Sequence, residues 1–298
     1  MLETLIEPLQ SGFMQRAIIT AVLVGIVCAS VGSYLMVQRL ALLGDAISHS
    51  VLPGLAIAFI IGADIFIGAF IAGIVSTLVI TWIRTRSQIK EDAAMGIVFS
   101  AFFALGITLI TIVQKDNKID LNHFLFGNIL SVTQEDVINT AIITAIVLTI
   151  VLLLYKELMF YTFDPLGAKA AGLPTNLLDF GLMILIALTI VASLQAVGVI
   201  LVLAMLITPG ATAYLLVTRL HQMMILGSAI GVVASISGMY LSYFFNLPSG
   251  PAIVLVAFGM FMLAFLFSPT QGVLTHPGSK SRSSQSGIWR ELKGLLRS

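Results

Sequence analysis

Apolar residues in this chain neither alternate in twos nor recur as a narrow helical stripe. They run. Nine stretches stand out, at residues 17–37, 42–61, 65–83, 95–113, 137–155, 177–194, 197–217, 223–244 and 252–267. Their lengths sit near the roughly 20 residues a bilayer-spanning helix needs. An outer-membrane barrel would instead show segments of about ten alternating residues. The second run carries Asp45 and His49 near its start and falls short of a full span there, so partial re-entrance is open. The join at 194–197 makes the sixth and seventh runs a tight pair. The pattern predicts an all-α integral membrane protein, a polytopic bundle of eight or nine transmembrane helices.

Composition sharpens that reading. The 298 residues are 58% apolar and only 10% charged, against about 25% charged in soluble domains. The net charge of +1 points to neither nucleic acid nor an acidic partner. Cys28, the sole cysteine, lies inside an apolar run and reads as a small buried hydrophobe. The first eleven residues lack a basic start, so no cleaved leader is expected, and the first span serves as insertion signal.

Lys and Arg placement sets the orientation. With nine spans and an outer N-terminus, the inner side holds Arg39, Arg84, Arg86, Lys90, Lys156, Lys169, Arg219, Lys280, Arg282, Arg290, Lys293 and Arg297. The outer side holds Arg16, Lys115 and Lys118. One transmembrane domain is expected over residues 1–268. Residues 269–298 form a Ser- and Gly-rich basic tail, expected to be flexible and cytoplasmic. Within it, 288–296 has the pattern of a short basic helix on the inner leaflet; an unstructured tail fits as well.

Asp45 is the one acid embedded in a long apolar stretch; the other thirteen fall in loops, tails or run edges. His49 follows four residues on, hence on the same helix face. An ionisable group at the centre of a spanning helix costs roughly 2.5–3.5 kcal/mol on insertion scales. Such a cost persists where the group meets a cavity, a partner or a substrate. Carboxylate plus imidazole suits Mn²⁺, Fe²⁺ or Zn²⁺ better than a soft ion such as Cu⁺. A two-fold pair of chains would supply two oxygens and two nitrogens, a loose shell that an ion can also leave. Two blander roles stand beside this one: Asp45 as a helix cap, and a simple intrahelical charge pair. The residues alone do not choose.

The stretch Gly44-Asp45-Ala46-Ile47-Ser48-His49-Ser50-Val51-Leu52-Pro53-Gly54 resembles the permease family of manganese, zinc and iron ABC importers, and most of all its manganese members. The resemblance covers residues 13–269. It implies that Asp45 and His49 are the intramembrane metal ligands. It implies no permanently bound cofactor, only a transported divalent metal, Mn²⁺ first among the candidates. It also implies that two copies pair around a central path in the cell membrane. The implied partners are an ABC-type ATPase and an extracytoplasmic metal-binding protein. The inner loop Phe163-Asp164-Pro165-Leu166-Gly167-Ala168-Lys169-Ala170-Ala171-Gly172-Leu173 resembles the family's ATPase-coupling segment, a short helix seated in a groove of the ATPase. Many relatives have a second acid after the proline; Leu166-Gly167 here shifts the expected contact toward apolar packing.

The remaining features agree with a transport subunit that is not an enzyme. There is no Gly-x-x-x-x-Gly-Lys-Ser/Thr phosphate loop. Thr208-Pro209-Gly210 is expected to break the seventh run, and freed carbonyls there can line a pathway; a packing kink is the more ordinary outcome. Pro53-Gly54 invites the same two readings. His123, in the outer loop, is a possible contact for the binding protein or an interfacial residue. A coordinating imidazole must be neutral, so acid is expected to slow transport. Three rivals remain: the same permease carrying Zn²⁺ or Fe²⁺, a proton-coupled secondary metal transporter, and an intramembrane hydrolase, which lacks a second catalytic acid.

Overall fold

In the computed structural model, residues 7–113, 129–269 and 272–274 are described. Among them nine helices are long and apolar enough to cross a membrane. Helix α1 is Gly12–Gln38. The second span is two short helices, α2 (Ala41–Ser50) and α3 (Leu52–Ile61), followed by α4 (Ile65–Arg86), α5 (Glu91–Val113) and α6 (Gln134–Leu153). Two short helices come next, α7 (Tyr155–Phe163) and α8 (Pro165–Ala170). The last four spans are α9 (Thr175–Val197), α10 (Val199–Leu216), α11 (Leu220–Phe245) and α12 (Ser249–Phe267).

Local chemistry sets the ends. Arg39 turns into the left-handed region (φ 62°) and its N–H returns to the last carbonyls of α1. Gly62 closes α3 in the same way at φ 68°, and Asn246 closes α11 at φ 50°. Asp64 caps α4 by accepting from Phe66 N–H at 2.7 Å. Thr133 and Asp136 form a reciprocal capping box at the start of α6, which satisfies two donors that the first turn leaves free. Arg84 and Arg86 in the last turn of α4, with Glu91 and Asp92 in the first turn of α5, complement the helix dipoles.

The second span is not re-entrant. Together α2 and α3 run through Ala41–Ile61, 21 residues, with a joint at Val51. Pro53 explains the joint, because it has no N–H to return to the carbonyl of His49. The predicted break at Thr208-Pro209-Gly210 does not occur: α10 continues through Pro209. Pro209 and Gly210 are buried in a three-helix contact, Gly210 against Gly32 of α1 and the Pro209 carbonyl against Gly227 of α11. Thr212 Oγ1 donates to the Thr208 carbonyl at 2.7 Å, one turn away. Close packing by the neighbouring helices α1 and α11 thus holds the helix together through the proline, as membrane bundles allow.

Helices α1 and α9 are the most enclosed spans, whereas α5, α6 and α12 present most of their surface outward. Around α1 pack α6, α9, α10 and α11; α2 and α3 pack on α4 and α5. Close crossings use small residues. A Cβ on Gly32 would lie 1.8 Å from the Leu206 carbonyl oxygen, and one on Gly54 would lie 2.0 Å from that of Gly68. Alternating helix directions put Arg39, Arg84, Arg86, Lys90, Lys156, Lys169 and Arg219 at one end and, among described residues, only Arg16 at the other. By the positive-inside rule the first end is cytoplasmic. His123 and the tail beyond residue 274 lie outside the described residues.

Candidate functional site

Asp45 is the fifth residue of α2, behind the N-cap position Leu40, so it does not cap the helix. At 1.5 Å per residue it stands about 6 Å, and His49 about 12 Å, in from Ala41. Their side chains converge as the i, i+4 spacing requires: His49 Nε2 lies 3.5 Å from Asp45 Oδ1. The carboxylate is 48% exposed at the surface of the single chain and the imidazole 23%. Ala46, Ile47, Ser48 and Ser50 on the other faces of α2 are buried. Gly44 faces α10 beneath them, where a Cβ would come within 2.7 Å of Leu206 Cδ2, the movable end of that side chain.

Helix α5 holds the imidazole. Phe99 and Phe103, one turn apart, meet the His49 ring edge-on, with centroids 5.3 and 5.5 Å away. Nδ1 is buried and has no hydrogen-bond partner. The ring is therefore oriented by packing, with Nε2 on the side of the carboxylate. Among the described residues no three His, Cys, Asp or Glu side chains gather to hold a metal. One chain thus shows a carboxylate and an imidazole on an open face, not a closed cluster.

At the cytoplasmic end, the expected short helix exists as α8. Asp164 caps it by accepting from Gly167 N–H at 2.8 Å, and Pro165 occupies the first helical position. Leu166 is 81% exposed and Phe163 57%, while Ala168 is fully buried. Ala171 follows α8, Gly172 turns at φ 83°, and Leu173 folds back onto the core. The segment presents an apolar tip to the cytoplasmic side on a fixed base.

A second charged group, not anticipated from the sequence, lies beside that base. Asp179, in the second turn of α9, is buried. Its Oδ2 accepts from Arg84 at 2.7 Å and its Oδ1 from the Tyr161 hydroxyl at 2.7 Å. Burial first, and then the bond to Asp179, push the Tyr161 phenol well above its ordinary pKa. As a run-edge acid Asp179 looked unremarkable; the only signal was that Arg84 and Asp179 end and begin runs on the same side. At the outer end a cavity of about 430 Å³ opens between Asp64, Glu135, Asn139 and Gln195. Two of its acids, Asp64 and Asp136, are already engaged as helix caps.

Among the described residues, nine long apolar helices define a multi-pass membrane protein. Comparison with known proteins gives the particular family. Residues 10–268 match the model of the ABC 3 transport family, and the chain belongs to it. It is 49% identical over 267 residues to the manganese transport system membrane protein MntC of Halalkalibacterium halodurans, covering 90% of this chain and 91% of that one. It is 44% identical over 268 residues to the probable iron transport system membrane protein of Haemophilus influenzae, covering 90% and 98%. Among solved structures, PsaBC from Streptococcus pneumoniae in complex with Fab superposes with a TM-score of 0.82. That match is at 44% identity over 91% of this chain and 98% of the other.

Proposed function

We propose that this chain is the membrane permease of an ATP-driven importer of divalent metal, Mn²⁺ in the first place, and that Asp45 and His49 bind the ion in transit. The observation that carries the proposal is the pair itself. A half-exposed carboxylate and its imidazole share one face of α2, and among the described residues no other His, Cys, Asp or Glu joins them. Left against lipid, the acid costs roughly 2.5–3.5 kcal/mol on insertion scales; a second copy laid over this face removes that cost and doubles the ligands. The resulting two oxygens and two nitrogens fit Mn²⁺ or Fe²⁺, and such a shell releases the ion as readily as it admits it. Manganese is favoured because the Halalkalibacterium relative is named for it. Iron is the second reading, on the strength of the Haemophilus relative.

In this reading the residues divide the work. Asp45 supplies the charge that compensates lost hydration, and neutral His49 supplies Nε2. Phe99 and Phe103 keep the ring from turning away. No phosphate loop is present in the sequence, so energy comes from a separate ATPase that seats on Phe163, Leu166 and the rest of 163–173. An extracytoplasmic metal-binding protein delivers the ion to the outer face. The test is uptake of radioactive manganese by cells expressing the complete transporter. Asp45→Asn and His49→Ala should each abolish uptake at unchanged membrane levels. Excess unlabelled Zn²⁺ or Fe²⁺ should compete less well than Mn²⁺. Full uptake in both variants would remove the pair from the mechanism, and stronger competition by iron would reassign the cargo.

A further inference from the structure

The buried group at the cytoplasmic end joins four helices. Arg84 ends α4, Asp179 begins α9, Tyr161 belongs to α7, and Glu91 at the start of α5 reaches Arg84 at 3.5 Å. Both carboxylate oxygens of Asp179 are used, and its side chain is 13% exposed. Bonds of this charge-assisted kind are short and directional. Tyr161 stands two residues before Phe163, where the exposed cytoplasmic segment begins. Next to it, Thr162 Oγ1 accepts from Gln38 Nε2 of α1 at 3.2 Å.

The far side of the same two helices touches α2. A Cβ on Gly73 of α4 would stand 3.6 Å from Val51 and 3.7 Å from both Ile47 and Val191. Val191 belongs to α9, and Ile47 sits between Asp45 and His49. Helices α4 and α9 therefore meet twice: at the Arg84–Asp179 pair and again, three turns on, against the helix that carries the site. Nothing else polar among the described residues links α7 to this pair of helices.

We propose that Arg84, Asp179 and Tyr161 form the joint through which displacement of the α7–α8 segment moves α4 and α9, and with them α2. They are positioning residues for transport, acting through helices without touching the ion. This inference rests on the importer reading above. A passive staple would hold the same helices together and would affect only folding and abundance. A joint instead sets how much transport each ATP yields.

The experiment uses the complete transporter, with its ATPase and binding protein, in sealed vesicles. Mn²⁺ uptake and ATP hydrolysis are measured on the same preparation. Tyr161→Phe removes one hydroxyl and keeps the ring; Asp179→Asn removes the charge. For Asp179→Asn, uptake per ATP hydrolysed should fall about fivefold or more, the scale of a typical coupling between sites. Tyr161→Phe should lower the ratio in the same direction by less, and ATP hydrolysis should persist in both. If Asp179→Asn does not accumulate, Tyr161→Phe decides alone. An unchanged ratio in vesicles whose unmodified transporter works overturns the joint and leaves the importer reading intact. Absence of ATP-driven uptake by the unmodified assembly overturns both.

Discussion

Gly54→Ala tests whether the second span is held by a backbone crossing rather than by side-chain packing. At this crossing α3 and α4 approach so closely that a Cβ on Gly54 would lie 2.0 Å from the Gly68 carbonyl oxygen and 2.6 Å from Ala72 Cβ. The reciprocal Cβ on Gly68 would lie 2.4 Å from the Gly54 carbonyl oxygen. The obstacle is backbone, which cannot rotate away as a side chain can. The helices must part by about 1 Å or more to reach an ordinary carbon–oxygen contact. Overpacking of this kind costs about 1–3 kcal/mol, set against a gain of up to about 1 kcal/mol in helix propensity. The expected outcome is a fall of several degrees in the melting temperature of the detergent-purified chain, followed by intrinsic fluorescence and by monodispersity on size exclusion. Gly96→Ala on α5, where a Cβ meets nothing within 4 Å, is the control and should melt at or slightly above the parent temperature. Once Gly54→Ala has pushed the helices apart, Gly68→Ala should add little, because both act on one contact. Equal melting of Gly54→Ala and the parent, or fully additive losses in the double variant, would refute the crossing.

Three further outcomes follow from the geometry. Thr133→Ala removes the hydroxyl half of the α6 capping box and should cost about 0.5–2 kcal/mol, read as a lower melting temperature with uptake per folded molecule unchanged. Leu166→Glu, at an 81% exposed position, should leave melting unaltered yet weaken co-purification with the ATPase; undiminished recovery would take Leu166 out of that contact. Phe103→Ala opens one side of the packing around His49 and should raise the KM for Mn²⁺ about tenfold, the usual penalty for loosening a ligand's support. An unchanged KM would mean that Phe99 alone holds the ring.

The sequence read well where membrane physics is strict. Run length alone places the apolar stretches to within a few residues while leaving the count at eight or nine, and the spacing of Asp45 and His49 gives their shared face. It read poorly where tertiary contact overrides local preference. Pro209 is expected to break its helix, yet the close approach of Gly32 and Gly227 accommodates it. Asp179 sits at a run edge like an ordinary end-of-span acid, yet it is more enclosed than Asp45 and paired with a residue 95 positions away. No periodicity signals such a pair, since each partner looks like an ordinary end-of-span charge. The half-exposure of Asp45 was equally invisible: a single chain shows only which face is left open.

The deeper reason lies in what counts as inside. In water the buried face of a helix is the apolar one, and an amphipathic stripe reveals it. In a bilayer both faces are apolar, because lipid tails solvate leucine as well as a protein core does. Here the outward positions are the large ones, such as Ile61, Trp82, Leu153 and Leu255. The enclosed positions of α1 and α9 are rich in small and hydroxylated residues: Ala17, Ala21, Cys28, Ser30, Ser33, Thr189 and Ser193. Those hydroxyls are satisfied by helix carbonyls or by each other. Ser33 donates to the Ala29 carbonyl, Thr189 to that of Leu185, and Ser235 crosses from α11 to the Ala21 carbonyl of α1. Small and hydroxylated residues, interleaved with large ones such as Leu35, Leu182 and Ile186, therefore mark the enclosed faces where hydrophobicity alone does not. By that criterion the Asp45 and His49 face of α2 stands apart: it pairs an acid and an imidazole with an open surface, which an isolated bundle in lipid has no physical reason to keep.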